Sequence, residues 1–315
     1  MMIKMLIDCD PGVDDSLAIM FALNRPDVEV VGITTGVGNV TAAQGAENAL
    51  RLVKLCGKEG QVPVCAGLEQ PLVEEVEDFP AFIHGDNGTG NVELPETDQK
   101  PVEMDVRDFL YQKACENEGD LVLVTLGRLM NIATTVEKYP DFPRKIRKVV
   151  AMGGTIYKQG NVTPVCEANI AGDPEAADIV VQQDWDMTMV GLDVTLATEL
   201  TKEIVDKAAR YARPECKAQM AFLQEELVHY MKGARDQNWY LDASPTHDPL
   251  AMVVAVDPSV VWVREMVTRI ETGGTYSRGR VIVDLREQPI EGRFVKHALK
   301  VDAHKALSEL FAAFR

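Results

Sequence analysis

Short runs rich in Val, Ile and Leu alternate with amphipathic stretches from residue 4 to residue 192, and turn residues stand at almost every change of period. The runs predict strands at 4–7, 28–34, 61–65, 121–125, 148–152 and 187–192. The intervening stretches predict helices at 13–23, 42–55, 106–117, 129–137 and 174–182. Strands alternating with helices in this way build a mostly parallel, Rossmann-like sheet covered on both faces. Beyond it, 201–231 reads as charged helix and 250–256 as another helix after a polar, aromatic loop. Residues 260–272 and 280–285 read as strands, and 303–314 as a closing helix. No fixed-period repeat or low-complexity linker interrupts the pattern. The expectation is therefore one α/β domain spanning 1–315, with a helical elaboration towards its C-terminal third.

Composition narrows what such a domain binds. Hydrophobic residues make up 46% and charged residues 26%, which is globular rather than disordered. The net charge of -17, from 32 basic against 49 acidic residues, argues against a nucleic-acid surface, which needs clustered Lys and Arg. A metal or a small neutral or cationic ligand fits better. No apolar run approaches the roughly 18 residues of a membrane span. The six cysteines are scattered with no C-x-x-C pair, and the first ten residues lack a secretory apolar core. The expected setting is a reducing cytoplasm.

In an open parallel sheet, ligands bind outside the carboxyl ends of the strands. The first strand runs directly into Asp8-Cys9-Asp10-Pro11-Gly12-Val13-Asp14-Asp15. Strand alternation predicts Asp8 and Asp10 on one side, and Asp14 and Asp15 open the next helix, where acids are favoured by the dipole. Dipole preference does not explain four carboxylates within eight residues. Their repulsion raises their pKa values unless a cation sits among them, and oxygen donors without nearby Cys or His suit Ca²⁺ or Mg²⁺ rather than Zn²⁺. The spacing is not that of an EF-hand, because Gly12, Val13 and Ile19 occupy its fifth, sixth and twelfth positions. A haloacid-dehalogenase-type phosphatase also places D-x-D at a first strand end, and the acidic run from Gly172 to Asp178 imitates its later motif. Here Pro11-Gly12 replaces its Gly-Thr. That reading makes Asp8 a nucleophile, and a non-catalytic calcium or nucleoside-binding protein is a third possibility.

The D-x-D-P-G-x-D-D segment resembles the signature of the inosine-uridine preferring nucleoside hydrolases. Further segments resemble that family's motifs in order: Thr35-Gly36-Val37-Gly38-Asn39, His84-Gly85-Asp86-Asn87-Gly88, Gly127-Arg128-Leu129-Met130-Asn131, Met152-Gly153-Gly154, Gly160-Asn161-Val162-Thr163-Pro164, Glu167-Ala168-Asn169-Ile170, Asp173-Pro174-Glu175-Ala176-Ala177 and His247-Asp248-Pro249-Leu250-Ala251. The resemblance implies hydrolysis of a small-molecule ribonucleoside to ribose and free base, in a homo-oligomer (dimer or tetramer).

It also implies roles. Ca²⁺ would be held by Asp10, Asp15, the backbone carbonyl of Leu126 and Asp248, and would polarise the attacking water, with Asp10 as general base. Asp14, Asn39, Asn161, Glu167 and Asn169 would bind ribose. His247 would assist the departing base, since imidazole titrates near neutrality, and His84 is a second group on the base side. Each has an ordinary structural alternative: turn formation for the asparagines, helix starts for Asp248 and His247. His229, His297 and His304 receive no role. Tyr230, Trp239 and Tyr240 are candidates for stacking on the base, or for packing within a helical lid around 222–240. Two departures from the family pattern stand out: Ala168 where an aromatic is frequent, and Arg128-Leu129-Met130 in place of Pro-Leu-Thr.

Overall fold

The computed structural model describes residues 2–76, 78–238 and 243–315. In chain order the strands are β1 (Ile3–Cys9), β2 (Val28–Thr35), β3 (Val64–Ala66), β4 (Leu121–Thr125), β5 (Ile146–Met152), β6 (Met187–Val190), β7 (Glu199–Thr201), β8 (Ala243–Pro245), β9 (Val261–Ile270), β10 (Val281–Asp284) and β11 (Arg293–Val301). Nine of them form one sheet in the order β10-β9-β11-β6-β5-β4-β1-β2-β3, and β7 pairs with β8 separately. Every pairing from β3 across to β11 is parallel. Only β9 runs antiparallel to its neighbours β10 and β11. This is the predicted α/β fold with a mostly parallel sheet.

The central strands β1, β4 and β6 are buried on both faces, which is why they read as continuous apolar runs. In β1, Met5 and Ile7 join one core with the helices Val13–Asn24, Lys217–Asn238 and Asp248–Val256. Leu6 points the other way, into a core with Val106–Glu116, Met130–Lys138 and Pro174–Val181. The helix Val13–Asn24 is buried at every position up to Leu23, apolar all round from Leu17 to Leu23 and carrying Asp14 and Asp15 in its first turn.

The chain leaves β1 for β2 on one side, while β4 pairs along the other side of β1. That reversal opens a crevice at the carboxyl ends of β1 and β4, where Asp10 and Leu126 lie.

Several elements differ from the sequence reading: the strand expected at 61–65 is Val64–Ala66, and β7 and β8 were not expected. The helical stretch 201–231 is two helices, Lys202–Tyr211 and Lys217–Asn238, broken before Pro214, because proline cannot donate within a helix. Residues 187–192 end as strand at Val190 and turn into the short helix Leu192–Thr195. Strand β11 was not predicted at all. Its basic residues Arg293, Lys296 and Lys300 fall three and four apart, and its buried positions Val295, His297 and Ala298 keep no strict alternation, so no strand period shows. Trp239 and Tyr240 lie outside the described residues.

Candidate active site

Pro11 and Gly12 end β1 and start the helix Val13–Asn24. The Gly12 N–H donates to Asp15 Oδ2 at 2.9 Å, and the Asp10 N–H reaches Oδ1 of the same carboxylate at 3.3 Å. Asp15 therefore folds back over the turn as a helix-start acid does, and this places its oxygens beside those of Asp14 and Asp248. One oxygen from each of these three buried residues lies within 4.8 Å of the others. Asp248 enters from the far end of the chain as the first residue of Asp248–Val256, with Pro249 behind it.

Asp10 stands just outside that trio. Its Oδ2 accepts the Asn39 N–H at 3.0 Å, and the chain around it has no room to spare. A methyl group on Gly38 would fall 1.7 Å from Oδ2, and one on Gly127 would fall 2.7 Å from Oδ1. Glycine at these two positions is what lets the carboxylate occupy the crevice.

Asp8 behaves differently. It accepts hydrogen bonds from Thr34 Oγ1 at 2.6 Å and Asn131 Nδ2 at 2.8 Å, and it does not line the cavity. The expectation that Asp8 and Asp10 share one side at the strand end is corrected here. Asp8 lies within β1 on the Leu6 face, whereas Asp10 follows the strand's last residue, where the chain turns.

The crevice opens into a cavity of about 530 Å³. Asp10, Asp14, Asn39, His84, Leu126, Asn161, Glu167, Asn169, His247 and Asp248 all line it. Of the candidate residues only Asp15 sits behind the wall. Glu167 accepts from the N–H groups of Gly154, Asn169 and Ile170, which leaves it rigid at the start of the helix Ala168–Gly172. Asn161 Oδ1 accepts the Ala168 N–H at 3.0 Å. Asn169 Nδ2 donates to the Leu126 carbonyl at 2.6 Å.

Electrostatically the site is dominated by its carboxylates, with Arg128 the cationic side chain near Asp10. Burial first, then neighbouring carboxylates, push Asp10 and Asp248 well above the carboxylate range. Burial raises Asp14 and Asp15 to about 6, with Asp14 adding its charge against Asp15. Asp14 Oδ1 is buried with no hydrogen-bond partner. Clustered hard oxygens that resist ionisation are a donor set suited to a divalent hard cation. The residues present thus fit a metal ion.

The histidines differ from the sequence expectation. Burial lowers both His84 and His247 to about 4, so both are neutral at pH 7 rather than poised to titrate. His84 Nδ1 accepts the Val13 N–H at 3.2 Å, which puts its proton on Nε2. His247 Nδ1 lies 2.9 Å from Thr195 Oγ1, and with that hydroxyl donating, Nε2 again carries the proton. Thr195 lies far from any motif, and nothing in the sequence pointed to it. Tyr230 donates to Asp14 Oδ2 at 3.1 Å, and its ring centroid is 5.6 Å from that of His84. Arg128, noted only as a departure from the family pattern, also lines the cavity.

Residues 5–308 match the model of the inosine-uridine preferring nucleoside hydrolases. The chain belongs to that family. It is 35% identical over 304 residues to the inosine-uridine preferring nucleoside hydrolase of Crithidia fasciculata, covering 96% of this chain and 94% of that one. It is 34% identical over 276 residues to uridine nucleosidase 1 of Arabidopsis thaliana, covering 86% and 79%. The solved purine-preferring ribonucleoside hydrolase from Gardnerella vaginalis superposes with a TM-score of 0.91 at 36% identity, covering 99% and 98%. The protein is a nucleoside hydrolase acting on ribonucleosides. The phosphatase reading falls with this result, in agreement with the enclosed position of Asp8. Among the described residues no helix is long and apolar enough to cross a membrane.

Proposed function

We propose that this enzyme is a Ca²⁺-dependent ribonucleoside hydrolase in which Asp10 is the general base and His247, with His84, assists the departing base. The observation that carries the reading is one cavity lined by the buried carboxylates Asp10, Asp14 and Asp248 together with two neutral imidazoles, His84 and His247. Asp10, Asp15, Asp248 and the Leu126 carbonyl would hold the ion. Bound there, Ca²⁺ would offset the carboxylate charge and make a water molecule easier to deprotonate.

The protein's own residues supply the rest. Asp10 takes the proton of the attacking water, for which its place on the cavity wall suits it. The free Oδ1 of Asp14 suits a ribose hydroxyl donor, while Tyr230 holds the other oxygen. Asn39, Asn161, Glu167 and Asn169 complete the ribose grip and remove orientational freedom before the bond breaks. A neutral His247 donates from Nε2 to the base as negative charge develops on it, as an electrostatic stabiliser rather than an imidazolium acid. Tyr230 also offers a ring edge towards the base side. We further propose, from the family resemblance, a homo-oligomeric (dimer or tetramer) cytoplasmic enzyme.

The test is ribose release from inosine, uridine, cytidine and adenosine by wild type and Asp10→Asn, with ligand binding measured in parallel. Asp10→Asn should bind and not turn over. Equal, negligible turnover in both proteins with binding retained would instead identify a binding protein.

A further inference from the structure

Glu226 is fully buried, 0% exposed, in the helix Lys217–Asn238, and among the described residues neither of its carboxyl oxygens receives a hydrogen bond. It does not line the cavity, and no step proposed above uses it. An ionised carboxylate in such a place is costly. Tyr230, one turn further along the same helix, donates to Asp14 in the first turn of Val13–Asn24. Glu226 meets that turn as well. Its polar neighbour there is the equally buried Ser16, whose hydroxyl acts on the carboxyl.

The direction of this contact follows from the number of hydrogens. A hydroxyl has one, and Ser16 spends it on the Gly12 carbonyl at 2.9 Å. The Ser16 oxygen is left to accept, and Glu226 can donate to it only as a neutral acid. A carboxylate would face the Ser16 lone pairs and the Asp14 charge with nothing to offset it. Burial first, then the charge of Asp14, push Glu226 well above the ordinary carboxylate range, in agreement with the hydrogen count. Gly12 is thereby held from both sides. Its carbonyl takes the Ser16 hydroxyl, and its N–H donates to Asp15 Oδ2 at 2.9 Å. The path from Glu226 runs through Ser16 and Gly12 to a carboxylate proposed above as an ion ligand, and the inference rests on that reading.

We infer that Glu226 is a positioning residue, a neutral acid that donates to Ser16 Oγ and so fixes the turn that aims Asp15 at the ion.

The experiment measures Ca²⁺ affinity of chelator-stripped protein by titration calorimetry in wild type, Glu226→Gln, Glu226→Met, Ser16→Ala and the double variant Ser16→Ala with Glu226→Met. The Tm of each metal-free protein is measured alongside, to separate loss of fold from loss of affinity. Groups that orient metal ligands are worth about 10- to 100-fold in metal affinity, and the two links between Glu226 and Asp15 place it at the lower end. Glu226→Met and Ser16→Ala should each weaken binding roughly 10-fold. Glu226→Gln, which keeps an uncharged donor, should bind as wild type does. The double variant should be no weaker than either single one, because both changes break the same chain. Equal losses in Glu226→Gln and Glu226→Met would mean that Glu226 acts through negative charge, and would overturn the inference. So would a double loss equal to the product of the single ones. If Glu226→Met fails to fold, Ser16→Ala is compared with and without Glu226→Gln: the same loss in both is expected, and a larger loss with Glu226→Gln overturns the inference. Wild-type affinity in every variant makes Glu226 a packing residue and overturns this inference alone, whereas a wild type that binds no Ca²⁺ overturns the proposed ion site with it.

Discussion

The side-chain amide of Asn169 donates to the carbonyl oxygen of Leu126 at 2.6 Å, tying the helix Ala168–Gly172 to the loop after β4. Both groups belong to the proposed machinery, Asn169 to ribose binding and Leu126 to the ion. The contact couples the two.

Asn169→Ala should accordingly reduce kcat/KM by roughly 10- to 100-fold, on inosine or uridine and on p-nitrophenyl riboside alike, because every one of these carries the same ribose. Thermal stability should drop little, since a single partly exposed hydrogen bond contributes about 1 kcal/mol. A loss confined to the natural nucleosides would remove Asn169 from the ribose end of the site.

His247→Ala should separate those same substrates. Help to a poor leaving group is worth about 10²–10⁴-fold, whereas an aryl oxide departs with little assistance. Turnover of inosine or uridine should collapse while p-nitrophenyl riboside is spared. Because burial lowers His247 to about 4, the wild-type rate should show no histidine titration near pH 6.5. An equal loss on both substrate types would make His247 a structural residue.

Chelation should abolish activity, with Ca²⁺ restoring it better than Zn²⁺, and it should destabilise the fold in a pH-dependent way. In the metal-free protein Asp14 and Asp15 are raised to about 6 and Asp8 to about 7. The folded state thus keeps protons that the unfolded chain releases near pH 4, and stability falls as pH rises from about 4 to about 7. Buried His84, His247 and His297, all lowered to about 4, act in the opposite sense below pH 6.5. Burial, the first cause in each, is the same with and without metal. The drop in Tm on adding chelator should be larger at pH 8 than at pH 5, by on the order of 5 °C. A drop independent of pH would mean that the cluster does not hold the ion.

Much of this protein was legible in its sequence because the governing interactions are local. The periods of β1, β2, β4 and β5 and the punctuation at Pro11-Gly12 follow from a chain that must bury both faces of a sheet. The D-x-D-P-G-x-D-D segment marks a strand end whatever the rest of the chain does. Strand β11 escaped because its charges, three and four apart, break up any two-residue period, and only pairing with β6 and β9 shows which positions are buried.

What the tertiary structure decided lies in long-range burial. Asp8 and Asp10 look equivalent in the sequence, yet Thr34 and Asn131 claim the first and the crevice takes the second. The neutrality of His84 and His247 could not be read from an imidazole's ordinary titration, because it depends on how deeply Val13, Thr195 and the surrounding walls enclose each ring. Arg128 is an ordinary surface residue type until the fold sets it on Gly172 beside Asp10. Sequence determined which groups the protein carries and where its strands end; the low dielectric of a site assembled from residues as far apart as Asp10 and Asp248 determined which of those groups are charged and which are paired.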